Sequence, residues 1–119
     1  MADDGAYFRN TITKHVDDDV TFYADFGPWL PASVTISSPS VTCPDDAALV
    51  IANVAVIGTS TTVNDRVGTR TIAANEGVSF ELSSGTAIAD AADSVDVEIA
   101  VTLSNGDTIT RLARLRVKE

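Results

Sequence analysis

The chain is poor in residues that do chemistry. Its 119 residues include one cysteine, Cys43, and one histidine, His15. A lone cysteine excludes an intrachain disulfide and any CxxC metal or redox pair, which suits assembly in a reducing compartment. His15 and Cys43 fall in stretches without clear periodicity, so nothing in the pattern pairs them as base and nucleophile. Ser/His/Asp chemistry meets the same single histidine, and no Gly-x-Ser-x-Gly elbow is present. There is no Walker or GxGxxG loop to cradle phosphate, and the seventeen Asp and Glu residues contain no marked pair for glycoside hydrolysis. Asp17-Asp18-Asp19 and Asp45-Asp46 could offer hard oxygen ligands to Ca²⁺, but they lack the alternation and glycine of a calcium loop, and solvated acidic turns are expected. The sequence is read as a non-enzyme without cofactor or metal.

Long apolar runs are missing too. None approaches the roughly 18 residues of a membrane span, and the acidic start Met1-Ala2-Asp3-Asp4-Gly5 is unlike a secretory leader. A soluble product that is not secreted by a cleaved leader is expected.

Positive charge is scarce: 8 Lys and Arg stand against 17 Asp and Glu, a net charge of −9. Arg111, Arg114, Arg116 and Lys118 against Glu119 make the last nine residues +3, which leaves −12 on residues 1–110. Such a field repels nucleic acid and anionic membranes, so neither is expected as a partner. A protein offering basic surface is the natural complement. Arg114, Arg116 and Lys118 share one strand face, read as a solvated outer face with a small docking stripe as the alternative.

What the chain does have is alternation. With 45% hydrophobic and 21% charged residues it has the composition of one globular domain. Val95, Val97, Ile99, Val101 and Leu103 alternate with Asp96, Glu98, Ala100 and Thr102, the period of a half-buried strand. Ser104-Asn105-Gly106 turns the chain, and Ile109, Ala113, Leu115 and Val117 carry the apolar face back. Parity selects the turn. A two-residue Asn105-Gly106 turn sets Val97 against Arg114, whereas a three-residue loop with Gly106 in the left-handed conformation pairs Val101 with Ile109, Val97 with Ala113 and Val95 with Leu115. One misfit remains: Arg111 opposite Ile99, which must snorkel, find a partner or sit at a bulge.

Earlier segments are shorter. Residues 1–19 read as a loose arm, a short helix or an extra strand. Val20 to Ala24 is a strand, broken by Pro28 and Pro31 around Trp29. Trp29 is expected to plug one end of the core rather than serve as a ligand platform. Six of seven aromatics lie in the first 29 residues, Phe80 being the exception, so this segment supplies either core bulk or a contact surface. Val34-Thr35-Ile36 reads as a short strand ended by Ser37-Ser38-Pro39. Cys43, beside Pro44, reads as a small buried filler. Leu49 to Ile57, apolar on both parities and rich in β-branched residues, reads as a central strand. Gly58 to Asp65 reads as an exposed loop, Val67 to Ile72 and Val78 to Leu82 as strands, and Thr86 to Ala92 as one helical turn or a loop. The sum is an all-β fold, an antiparallel Ig-like β-sandwich of about seven short strands over residues 20–119, with 1–19 as an arm or extra element.

Two stretches carry a resemblance. Val20-Thr21-Phe22-Tyr23-Ala24-Asp25-Phe26-Gly27-Pro28-Trp29-Leu30-Pro31-Ala32 resembles the opening of small Ig-like virion proteins of tailed bacteriophages. Asp96 to Arg111, followed by Leu115-Arg116-Val117, is similar to their closing hairpin of a valine-rich strand, a Thr-x-Ser-x-Gly turn and an Arg-rich strand. Phe26-Gly27 departs from the family's usual aspartate-tryptophan arrangement, and Gly85 stands where it often has a glycine pair. The resemblance implies a structural protein of the virion, made in the cytoplasm of a bacterial host. It implies an adaptor between tail and fibre, or a capsid decoration protein, in several symmetric copies, with tail, fibre or major capsid proteins as partners and no catalytic residues. The contact residues expected are Tyr7, Phe8, Tyr23, Phe26 and Trp29 in the aromatic segment, and Arg114, Arg116 and Lys118 in the last strand. A carbohydrate-binding sandwich, with Trp29 or Tyr23 stacking on sugar, is the alternative of another class.

Overall fold

The computed structural model describes residues 12–65, 68–89 and 93–119. Among them the chain forms nine strands: β1 Ile12–His15, β2 Val20–Asp25, β3 Ile36–Thr42, β4 Leu49–Val56, β5 Thr61–Asp65, β6 Gly68–Ile72, β7 Gly77–Ser84, β8 Val95–Leu103 and β9 Thr108–Lys118. Seven of them build an all-β sandwich from two sheets, ordered β1-β9-β8-β3 and β2-β7-β4, while β5 and β6 pair as a separate ribbon. In immunoglobulin lettering the sheets read A-G-F-C and B-E-D, with the first strand moved beside the last and running parallel to it.

The closing hairpin has the register that parity selects. Val95 faces Leu115, Val97 faces Ala113 and Val101 faces Ile109. Gly106 has φ +97°, and Leu103 donates to the Asp107 carbonyl at 2.7 Å around a three-residue loop. Inward side chains of both sheets merge into one core, with Val97, Ile99, Leu115 and Val117 meeting Val78, Phe80 and Leu82. Each such burial is worth about 1.5–3 kcal/mol. Where antibody domains bridge strands B and F with a disulfide, the two sheets here meet through apolar side chains among the described residues, and within the three-stranded sheet the paired Phe22 and Phe80 rings lie 6.1 Å apart.

Residues 12–15 form an extra strand beside β9, one of the readings open for residues 1–19. Three expectations change. Strand β3 begins at Ile36 and runs through Pro39, because the proline lies in a bulge between Ser37 and Ser40 on an edge strand, where its missing N–H costs no ladder bond. Strand β4 is an edge rather than a central strand. It is apolar on both parities because a bulge between Ala52 and Ala55, with Asn53 at φ 54°, shifts its phase, and because its outward side chains are Val50, Ala52 and Ala55. The expected loop at 58–65 contains β5, whose β-branched Thr61-Thr62-Val63 pairs with β6; the Thr62 and Thr71 hydroxyls lie 3.3 Å apart across it. Of the segment 86–92, residues 86–89 are loop, and 90–92 lie outside the described residues.

Candidate interaction surface

Tyr7 and Phe8 lie outside the described residues. Phe26 is fully buried in the core, so the contact role expected for it is not open to it. Trp29 sits on the 3-10 turn Gly27–Trp29, half-buried against the core. Its ring meets Phe26 edge-on at 5.9 Å, and the Arg111 guanidinium carbon lies 4.7 Å from its centroid. This resolves the Arg111 misfit. Opposite Ile99, the arginine points to the inner face near one end of the sandwich, where Trp29 covers it and Nη1 donates to the Thr110 carbonyl at 2.9 Å.

Arg114, Arg116 and Lys118 share the outer face of β9, a strand flanked on both sides. Arg114 faces Asp96 across the ladder, Arg116 faces Thr13, and Lys118 faces His15. Arg116 also donates through Nη2 to the Ile88 carbonyl at 3.5 Å. The stripe is thus partly engaged within its own sheet.

His15 and Cys43 stay apart. His15 ends β1 and Cys43 follows β3, the two opposite edges of the four-stranded sheet. Burial first, then the Asp46 carboxylate, push the Cys43 thiol above its ordinary pKa, away from the thiolate that nucleophilic chemistry requires. Asp17, Asp18 and Asp19 are all exposed. Asp46 is buried and accepts from the backbone N–H of Ala48 and Thr86 and from the Thr86 hydroxyl, at 2.9–3.1 Å. It pins the 43–48 loop to the segment after β7. Among the described residues no three His, Cys, Asp or Glu side chains gather as a metal site, and no helix is long and apolar enough to cross a membrane.

Two features went unforeseen. Lys14 is 2% exposed, and its Nζ donates to the His15 carbonyl at 2.6 Å and the Ser84 carbonyl at 2.7 Å, tying β1 to the end of β7. Its alternation with Ile12 and Val16 was the available signal, since a lysine at an apolar parity needs an internal partner. The second is the outer face of β2-β7-β4. Tyr23, Ser79 and Ala55 form one row across it, and Thr21, Glu81 and Ala52 the next. Tyr23 is 45% exposed and Val50 49%. Neither Lys nor Arg occurs in these three strands, whereas the four-stranded sheet holds Lys14, Arg111, Arg114, Arg116 and Lys118.

The edges of the two sheets differ. On one side β3 and β4 lie against each other, each with a bulge. On the other, β2 runs six residues in unbroken register. The Phe26 N–H donates to Glu76 O at 2.8 Å. That sets the ladder's phase: Phe22 and Ala24 turn their backbone groups to β7, and Thr21 and Tyr23 turn theirs outward. Among the described residues nothing pairs with β2 on that outward side.

Compared with known protein families and with curated proteins, the chain matches none.

Proposed function

We propose that this protein is a non-enzymatic docking component of a tailed-phage particle, an adaptor between tail and fibre proteins present in several symmetric copies. The virion setting is supported by the likeness of residues 20–32 and 96–117 to that family. The docking role is carried by one observation: a chain of net charge −9 presents a whole sheet face on which Tyr23, Val50, Ala52 and Ala55 stand in the open and Glu81 is the central charge. An exposed tyrosine such as Tyr23 is of the residue type enriched in protein interfaces. Capsid decoration uses the same face and differs only in the neighbour.

The exposed Tyr23 also favours a second reading, stacking against sugar. Trp29 does not add to it, because Phe26 and Arg111 already occupy its ring.

Cross-linking of purified particles followed by mass spectrometry tests the proposal. Links from the β2-β7-β4 sheet to a tail, fibre or capsid protein are expected, and Val50→Lys should reduce incorporation while leaving the fold intact. Particles that lack the chain, or a purified chain that stays monomeric and binds no virion protein, would overturn it.

A further inference from the structure

We propose that the free edge of β2 takes up a basic, extended segment of the partner protein as an added strand. This rests on the docking reading above and names the place and the partner's chemistry. Three observations carry it.

The first is the edge itself. Thr21 and Tyr23 aim backbone N–H and C=O groups outward, and among the described residues no strand meets them; such groups bond readily to an incoming strand. The second is the contrast with the other edges. Strand β3 carries Pro39, a bulge and Ser38 at φ 50°; β4 carries a bulge and Asn53 at φ 54°; β1 has four residues. These devices blunt an edge. Strand β2 has no bulge, proline or lysine over its six residues.

The third is charge, which selects the occupant. Asp17, Asp18 and Asp19 stand exposed where β2 begins, Glu76 lies beside its end, and Glu81 faces Thr21 across the sheet. No cation in these strands offsets them. A second copy fits poorly: setting Thr21 against Tyr23 of an antiparallel copy puts Asp19 against Asp25 twice, and like charges directly opposite destabilise a ladder. The chain's own basic strand, β9, already has neighbours on both sides. A foreign strand with Lys or Arg near both ends bonds to the outward backbone groups and brings its cations toward Asp17, Asp18, Asp19 and Glu76.

The test is amide hydrogen exchange on the full chain with a capped synthetic peptide of about eight residues, valine alternating with threonine and lysine at each end. The expected result is that exchange at Thr21 and Tyr23 slows by about tenfold or more at saturating peptide, and that the effect shrinks as salt is raised. A glutamate-ended peptide, or one N-methylated along its pairing edge, should have no effect. Thr21→Pro should abolish the protection. Because that variant could disturb β2, Asp18→Lys with Asp19→Lys, both exposed, provides a second arm and should weaken binding on the order of tenfold. The inference is overturned if neither amide slows, if the glutamate-ended peptide works equally well, if protection falls on β3 or β4, or if Thr21 and Tyr23 are protected without peptide as protein concentration rises. Failure here while the chain still incorporates into particles rejects the edge alone. Absence from particles rejects the docking reading, whatever the peptide does.

Discussion

The Arg111 guanidinium carbon lies 4.7 Å from the centre of the Trp29 ring, so a cation on the inner face of one sheet is covered by the only tryptophan in the chain. Its Nε is buried without a hydrogen-bond partner, so the contact with the indole and the Nη1 bond to the Thr110 carbonyl hold it. Arg111→Ala removes both the cation and the stem that shields the ring. A loss of about 1–2 kcal/mol is expected, with red-shifted Trp29 emission. Unchanged emission would mean that the ring is held without the arginine. Arg111→Lys should recover only part of the loss, since an ammonium cannot lie flat on the ring.

Lys14 ties β1 into the fold. Lys14→Met keeps the apolar stem but leaves the His15 and Ser84 carbonyls without their donor. Destabilisation on the order of 1–3 kcal/mol is expected. In exchange experiments the Val16 N–H, which donates to Lys118 O at 2.7 Å, should lose protection before the β8–β9 amides do.

Gly77 stands where the ribbon joins the sandwich. A Cβ there would lie 2.5 Å from Ile72 Cγ2, 2.9 Å from Ile57 Cδ1 and 3.0 Å from the Ala24 carbonyl oxygen. Gly77→Ala should cost about 1–3 kcal/mol in urea unfolding through overpacking. Gly58→Ala, with open space around its position, serves as the control.

The Cys43 thiol, held above its ordinary pKa by burial and then by Asp46, should react slowly with iodoacetamide at mildly alkaline pH compared with an unfolded chain. The folded state binds this proton more tightly than the unfolded one. The thiol's contribution is therefore complete below the unfolded thiol's pKa and is lost as pH rises through the folded one. Cys43→Ala should flatten that part of the alkaline decline in urea midpoint.

The sandwich was legible wherever a strand had one wet face. Val95 to Lys118 yielded its register residue by residue, because a slip of one position would have put Arg114 on the apolar face. Edges were harder to read. Pro39 looks like a strand terminator in sequence, and only its place at a bulge on an edge makes it tolerable. The same holds for β4: two-sided apolarity signals a central strand when burial causes it, but here Val50, Ala52 and Ala55 are apolar on a surface left open. The ribbon was hidden because Thr-rich segments suit loops and exposed strands alike. As for the surface, Tyr23 was named from the sequence, whereas its neighbours on β4 and β7 are distant in the chain and come together only through pairing.

The open edge of β2 underlies the strand-addition proposal, and amide exchange on the free chain tests it most directly. Phe22 and Ala24 should exchange slowly, behind their bonds to β7, while Thr21 and Tyr23 exchange fast, an alternation along one strand. Slow exchange at all four positions would mean that the edge is already covered, and strand addition at β2 would be ruled out.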